Sequence, residues 1–226
     1  RVDAVILPPP LCESRAAVTE FVRAGIPVVA IASGRFSDDI SCVRIDDFRA
    51  GKELAEHMIE RGHTRIGFIK GRADLSASTR RFQGFQAALE EAGIAFDPAL
   101  VQQGDYTYRS GLKAAEKLLG HRKPPSAIFA SNDDMAAAAI SVAHRRGLDV
   151  PRDLSVVGFD DTSAATTVWP ELTTIHQPIA SMADAAIDVL LRGIRRNDAS
   201  TRVLTDRVVP HRLVARDSVA APPKKK

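Results

Sequence analysis

The sequence predicts an α/β protein whose strands form parallel sheets in two lobes. Short apolar segments rich in β-branched residues alternate along the chain with longer segments of helical periodicity. The apolar segments do not alternate with polar residues, which is typical of strands covered on both faces of a parallel sheet. About seven such segments precede residue 180, more than one compact sheet needs, so we expect two sheets joined by several strands.

The predicted strands follow one another with helices between them. In chain order they are residues 4–7, 28–31, 43–45, 65–70, 100–103, 127–130 and 154–158. Near the end of the chain, two further extended segments, 202–209 and 212–215, are separated by Pro210. Because these segments come after a predicted helix at 182–191, they indicate that the chain returns to sheets formed earlier.

Four segments carry apolar residues at helical spacing. In one of them Phe82, Phe85 and Leu89 fall on a single stripe, as in an amphipathic helix. Each segment has a glycine at or just after its last turn, which is a common helix stop. The segments are residues 52–61, 78–92, 132–146 and 182–191, and the glycines are Gly62, Gly93, Gly147 and Gly193.

The composition is that of a globular protein and excludes several classes. Of the 226 residues, 45% are hydrophobic and 26% are charged. No apolar run approaches the roughly 18 residues that a membrane span needs, and the first residues lack the apolar stretch of a signal peptide. The net charge of +3 is matched by the lysines at 224–226, so the rest of the chain demands neither nucleic acid nor a membrane. Residues 219–226 are expected to form a disordered basic tail.

The chain carries few signals of catalysis. Cys12 and Cys42 form no Cys-x-x-Cys pair and the histidines have no metal-site spacing, so we expect no metal, no cofactor and a cytoplasmic location. Phosphate-loop, dinucleotide-binding and hydrolase motifs are absent. We therefore expect no catalytic residues and no enzyme. An enzyme that uses Asp46 or Asp160 as a general base is the alternative.

Polar side chains follow several predicted strands at the points where those strands end. They are Asp46, Asp47, Asp105, Tyr106, Ser131, Asn132, Asp160 and Asp161. Ligands of open α/β sheets bind at the carboxyl ends of strands. Carboxylates and amides pair with hydroxyl groups, and an aromatic ring covers the apolar face of a sugar, so we expect a small polyhydroxylated ligand. Helix capping is an equal alternative for the two aspartates at 46 and 47 and for Asn132, as is packing for Tyr106.

Arg81 carries its charge in an unfavourable place. Arg80 and Arg81 both lie in the first turn of the helix predicted at 78–92, where positive charge opposes the helix dipole. One of the two is therefore expected to have a partner that offsets this cost, either a carboxylate or a ligand.

Five short segments form an ordered set of motifs. They are Arg61–Gly71 (RGHTRIGFIKG), Arg81–Phe85 (RFQGF), Ser131–Ala136 (SNDDMA), Val156–Asp161 (VVGFDD) and Pro170–Pro178 (PELTTIHQP). In this order they resemble the motifs of LacI/GalR-family transcriptional regulators. The likeness runs from about residue 2 to residue 218, and the ordered set is far more specific than any single motif.

The resemblance implies a fold like that of periplasmic sugar-binding proteins. Two Rossmann-like lobes would enclose a ligand and be joined by three crossover strands, near Gly71, near Gln177 and near residues 208–210. The first lobe would then comprise residues 1–71 and 178–208 and would be incomplete. The second lobe would comprise residues 72–177 and 209–218.

The resemblance also implies a set of effector contacts. The matching positions are Asp46, Arg81, Tyr106, Asn132, Asp160 and Gln177. Asp47 departs from the asparagine that is usual in the family at that position.

The function implied is that of the sensing and dimerising core of a repressor-type regulator. A sugar-like effector in the cleft would change the affinity for operator DNA, which would be bound by an N-terminal helix-turn-helix absent from this chain. Trp169 lies near a segment that the family uses for homodimer contacts, and no membrane partner is implied. A solute-binding protein that serves a transporter is the alternative.

Overall fold

The computed structural model describes residues 2–34, 39–195 and 204–223. The strands are β1 (Val5–Leu7), β2 (Val28–Ile31), β3 (Ser41–Arg44), β4 (Ile66–Lys70), β5 (Val101–Gln103), β6 (Ala127–Ala130), β7 (Ser155–Val157), β8 (Thr174–His176), β9 (Asp206–Val208) and β10 (Arg212–Val214). The α-helices are α1 (Arg15–Arg23), α2 (Asp47–Glu60), α3 (Ser76–Glu91), α4 (Tyr108–Leu119), α5 (Asp133–Arg145), α6 (Ser163–Thr167) and α7 (Ile179–Arg195). Strands and helices alternate along the chain, as the sequence predicts for an α/β protein.

The chain divides into two compact units. The first unit comprises Arg1–Asp46, Asp74–Ala77 and Pro178–His211, and the second comprises Asp47–Ala73, Ser78–Gln177 and Arg212–Lys226. Each unit contains a four-stranded parallel sheet.

The sheet of the first unit has the strand order β1-β2-β3-β9. Ser14 precedes helix α1 and caps it, because its side chain accepts a hydrogen bond from the amide of Ala17. The last strand is held beside β3 by Arg44, whose Nε and Nη2 donate to the two carboxylate oxygens of Asp206 at 2.9 and 2.7 Å. This paired contact joins segments that are 162 residues apart in the chain.

The sheet of the second unit has the order β5-β4-β6-β7, and β8 pairs with β10 in a separate antiparallel ribbon. Phenylalanine rings fill the space between this sheet and helix α3. The ring of Phe68 on β4 lies 4.9 Å from that of Phe85 on α3 and 4.7 Å from that of Phe129 on β6. All three side chains are fully buried. The apolar stripe predicted for this helix therefore faces the core.

The division of the chain corrects the predicted lobe boundary at residue 71. Residues 47–73 lie in the second unit because β4 pairs with β5 and β6 in its sheet. The first passage between the units therefore follows Asp46 instead of Gly71. Residues 74–77 also leave the predicted second lobe, because Glu13 of the first unit accepts hydrogen bonds from the amide and hydroxyl of Ser76, both at 2.7 Å.

The C-terminal segment corrects part of the predicted disordered tail at 219–226. The amide of Ala220 donates to Ser155 Oγ at 3.1 Å, and its carbonyl accepts from Nε2 of the buried His63 at 2.9 Å. Nδ1 of His63 is bound to Ser126 Oγ at 2.9 Å, and burial lowers the pKa of the ring, so a neutral imidazole fits this position. Residues 224–226 lie outside the described residues.

Candidate functional site

A cluster of polar side chains lies where three strands of the second unit end. We call it the polar cluster: Asp47, Arg81, Tyr106, Asn132, Asp160 and Gln177. Strands β4, β6 and β7 run parallel, so their carboxyl ends meet at one edge of the sheet. The loops that leave this edge carry Asn132 and Asp160, and α2 and α3 bring Asp47 and Arg81 to it. This is the edge at which open α/β sheets bind ligands.

Arg81 is buried at the centre of the cluster. Its Nε donates to Asp47 Oδ1 at 2.8 Å and its Nη1 donates to the carbonyl of Ser131 at 2.7 Å. The guanidinium also covers the ring of Phe159, with its carbon 3.6 Å from the ring centre. Burial opposes the charge, but Asp47 and Asp160 raise the pKa of Arg81 above its ordinary value. The sequence predicted either a carboxylate or a ligand as the partner of one of the two arginines, and for Arg81 the structure shows the carboxylate of Asp47.

Asp160 is held in an unusual backbone conformation. Its φ is +110° and that of Asp161 is +59°, in the left-handed region that costs non-glycine residues about 1–3 kcal/mol each. The carboxylate accepts a hydrogen bond from Gln177 Nε2 at 2.6 Å and forms an ion pair with Arg81 Nη1 at 3.6 Å. Burial raises the pKa of Asp160 to about 6, against the opposing effects of Arg81 and Gln177. Strain of this kind is concentrated at functional sites.

Tyr106 and Asn132 are fixed by each other. Asn132 Nδ2 donates to the carbonyl of Tyr106 at 2.9 Å, and Asn132 Oδ1 accepts from the amide of Met135 at 3.0 Å. Asn132 is therefore the N-cap of α5, as one of the two sequence interpretations proposed. Tyr106 has a φ of +72°, and its ring packs on Gly71 so closely that a Cβ at Gly71 would overlap with it. Burial raises the pKa of Tyr106, and Arg81 opposes that rise from nearby.

Five of the six predicted effector contacts therefore belong to one cluster in the second unit. They are Arg81, Tyr106, Asn132, Asp160 and Gln177. Asp46 belongs to the first unit, and its role as an effector contact stays a prediction.

Two carboxylates that are not among the predicted effector contacts hold the loop around Asp160. Asp133 is buried and accepts hydrogen bonds from the amide of Thr162 and the hydroxyl of Thr174, both at 2.7 Å. Asp161 accepts from Arg216 Nη2 at 2.6 Å and is bound to His176 Nδ1 at 2.9 Å. The sequence signal that could have revealed them is that each belongs to an acidic dipeptide, Asp133-Asp134 or Asp160-Asp161, and that Thr162 directly follows the second dipeptide.

We expect the stability of the protein to depend on pH through Asp160. The native carboxyl keeps its proton up to about pH 6, whereas its ordinary pKa is 3.8. The native state therefore binds more protons between these values, and stability falls as pH rises from 4 to 6. Asp160→Asn removes this dependence, so the variant should gain on the order of 2 kcal/mol relative to wild type between pH 4 and 7. Urea unfolding at several pH values measures the free energy of unfolding of wild type and variant. If the two proteins show the same dependence of this free energy on pH, the prediction is contradicted.

Other kinds of site have little support in the described parts of the chain. They contain no group of three or more His, Cys, Asp or Glu side chains that could hold a metal ion. Cys12 and Cys42 are buried, and burial raises the pKa of each thiol to about 12. None of the described helices is long and apolar enough to cross a membrane.

The known proteins that resemble this chain include transcription regulators. Residues 55–219 match the model of the periplasmic binding protein-like domain. The chain is 34% identical to catabolite control protein A of Priestia megaterium over 202 residues, which cover 89% of this chain and 60% of the relative. A solved structure of the regulator CelR in complex with cellobiose matches with a TM-score of 0.89 and 33% identity, covering 96% of this chain and 66% of that one.

A second solved structure is a sugar-binding regulator of the LacI family from Escherichia coli in complex with phosphate. It matches with a TM-score of 0.82 and 31% identity, covering 98% of this chain and 78% of that one. The chain thus spans 60% of the length of the curated relative from Priestia megaterium.

Proposed function

The chain belongs to the LacI/GalR family of transcriptional regulators, and we propose from this membership that it binds a small sugar-like effector and couples it to operator affinity in the cytoplasm. The observation that carries the effector role is the polar cluster itself. Arg81, Asp160 and Gln177 are joined by direct contacts at the carboxyl edge of a parallel sheet, with Asp160 held in a strained conformation.

Three members of the cluster, Asp160, Asn132 and Tyr106, have a chemical part in holding a hydroxylated molecule. The Asp160 carboxylate accepts hydrogen bonds from ligand hydroxyls, and charge-assisted bonds of this kind are the stronger ones. Asn132 has a second amide hydrogen for a ligand oxygen beside the one given to Tyr106. The Tyr106 ring offers an apolar face to the carbon skeleton. Asp47 takes no direct part, because it is buried against Arg81.

Effector binding would act on DNA through a coupling free energy. An effector that weakens operator binding must itself bind more weakly to the operator-bound protein, because the coupling is reciprocal. Typical couplings are about 1–3 kcal/mol, which small changes of conformation can supply. The DNA-binding segment of such a regulator lies outside this chain, so the test requires the full-length protein.

The relatives do not favour the alternative of a transporter's solute-binding protein, because those reported above are transcription regulators. They do not favour an enzyme that uses Asp160 as a base either.

A thermal-shift screen of the full-length protein against sugars and nucleosides tests the effector role. A ligand at 100 times its dissociation constant should add about 2.7 kcal/mol of stability. Asp160→Ala should abolish this shift. Asp149→Ala should preserve it, because Asp149 is an exposed aspartate that precedes β7, whereas Asp160 follows that strand. An undiminished shift in the Asp160 variant would place the effector elsewhere.

We also propose that the protein is a symmetric homodimer with Trp169 in the contact. The Trp169 side chain is 76% exposed, which is costly for so large an apolar group in a monomer. Trp169→Ala should raise the dimer dissociation constant by about tenfold or more, since buried tryptophans dominate interface energies. Sedimentation equilibrium measures this, with Phe96→Ala as the control at another exposed ring. Equal effects of the two substitutions would reject the contact.

A further inference from the structure

The loop that carries Asp160 has a strained backbone. Asp160 and Asp161 both have positive φ, at +110° and +59°. Residues other than glycine keep such conformations only where the surrounding structure fixes them through several contacts, and they are concentrated at sites of binding. The contacts that fix this loop therefore determine where the Asp160 carboxylate lies.

The side chain of Asp161 joins this loop to the antiparallel ribbon of β8 and β10. Its Oδ1 accepts a hydrogen bond from Arg216 Nη2 at 2.6 Å, and its Oδ2 is bound to His176 Nδ1 at 2.9 Å. His176 ends β8 and Arg216 follows β10, so each strand of the ribbon supplies one partner. Burial opposes the charge of Asp161, but the bonds from Arg216 and His176 outweigh it and lower the pKa of this carboxyl below its ordinary value. Asp161 is therefore an anion whose two oxygens are both engaged inside the second unit.

From these contacts we propose that Asp161 and Arg216 are positioning residues for effector binding, because their ion pair holds Asp160 in the conformation that buries its carboxylate beside Arg81. The proposal rests on the effector role proposed above. It identifies two residues on which the affinity for the effector depends although neither contacts the effector.

The backbone contacts of Asp160 show why the ion pair matters. The amide of Asp160 donates to the carbonyl of Ile175 at 2.9 Å, whereas the carbonyl of Asp160 accepts a longer bond, of 3.4 Å, from the amide of Gln177. The peptide that links Asp160 to Asp161 is thus held more firmly at its Asp161 end, through the short contact with Arg216. Loss of that contact should let the strained backbone relax, and the Asp160 carboxylate should move with it.

Position and charge have opposite effects on Asp160 when Arg216 is removed. Arg216 is a cation, so by charge alone its loss would raise the pKa of Asp160. Burial is the largest cause that raises the pKa of Asp160 to about 6, so a loop that relaxes toward water should lower that pKa toward its ordinary 3.8. The other charged and titratable groups around Asp160 stay the same in the comparison. They are Arg81 of α3, Asp47 of α2, Asp133 of α5, Tyr106 before α4 and His176 of β8.

Titration of the Asp160 carboxyl by nuclear magnetic resonance tests the proposal without a ligand. The full-length protein carries isotope-labelled aspartate, and the signal of Asp160 is the one missing from Asp160→Asn. Arg216→Met should lower the midpoint of this titration by on the order of one pH unit. Glu171→Gln is the matched control and should leave the midpoint unchanged, because Glu171 is the other carboxylate paired with Arg216, at 3.5 Å, and lies outside the loop. A midpoint that rises or stays the same in Arg216→Met overturns the proposal.

Calorimetric titration of the full-length protein measures the effect on affinity, with cellobiose, glucose, ribose and adenosine as probes. A probe that binds wild type should bind about tenfold more weakly to Arg216→Met and to Asp161→Asn, and equally well to Glu171→Gln. Asparagine tolerates positive φ as aspartate does, so Asp161→Asn adds no backbone strain of its own. Arg216→Lys keeps the cation without the guanidinium fork and should recover part of the affinity.

The outcomes separate this proposal from the effector role. A probe that binds wild type, Arg216→Met and Asp161→Asn equally well overturns the positioning role and leaves the effector role intact. If Arg216→Met does not fold, unchanged affinity in Asp161→Asn alone overturns it. Failure of all four probes to bind wild type counts against the effector role, and the titration of Asp160 then still decides whether Arg216 positions it.

Discussion

Arg81→Met is expected to destabilise the protein by about 3–5 kcal/mol, the cost of breaking a buried ion pair from one side. The substitution leaves the buried carboxylate of Asp47 without its cation and the carbonyl of Ser131 without its donor. For a chain of this size the melting temperature should fall by roughly 10 °C or more. Urea unfolding followed by circular dichroism measures the loss, and the effect should be present without any ligand.

A double variant separates the loss of the pair from the loss of the side chain. Arg81→Met with Asp47→Leu removes both charges, so most of the lost stability should return, because apolar residues of similar volume replace buried pairs at little cost.

Arg146→Met is the surface control. It breaks a 2.5 Å ion pair with Glu116 in which both side chains are more than a third exposed, and it should cost at most about 1 kcal/mol. Equal losses for Arg81→Met and Arg146→Met would mean that burial does not strengthen the inner pair.

Strands such as β2 and β6 were predictable because they are apolar on both faces. The predicted segments 28–31 and 127–130 coincide with β2 and β6. The lobe boundary at residue 71 was not predictable in the same way, because it depends on which sheet a strand joins. Phe68 of β4 pairs with Phe129 of β6, and Val43 of β3 pairs with Arg207 of β9, and no local pattern records either partner.

Part of the candidate site was predictable, because some of its residues can be recognised from a single short segment of the sequence. Asp160 follows an apolar strand, and the charge of Arg81 opposes a helix dipole. Each residue could therefore be identified as a candidate without knowledge of its partners in the fold. Asp133 could not, because its partners Thr162 and Thr174 reach it only in the folded chain. The sequence predicted a carboxylate or a ligand as a partner for Arg80 or Arg81, but it did not predict the burial of Arg81, since that burial depends on how α3 packs against α2.

That packing of α3 against α2 leads to the second large effect, a loss of about 1–3 kcal/mol or more in Gly84→Ala. A Cβ at Gly84 would overlap with the carbonyl oxygen of Phe48 and lie 2.7 Å from the amide nitrogen of Lys52, both on the backbone of α2. Backbone cannot rotate away as a side chain can, so α2 must shift, and with it Asp47 at its first turn. The strain should outweigh the gain of about 1 kcal/mol that alanine brings to a helix interior.

A glycine in open space gives the matched control for that substitution. Gly193 in α7 has no atom within 4 Å of its would-be Cβ, so Gly193→Ala should show the helix propensity gain alone and stabilise the protein by about 0.5–1 kcal/mol. The two substitutions add the same methyl group to the same kind of element with opposite expected signs. The urea midpoints of both variants, compared with that of wild type, show whether the two effects on stability have opposite signs. If Gly84→Ala is as stable as wild type, the two helices can separate freely, and the position of Asp47 beside Arg81 cannot depend on their close approach.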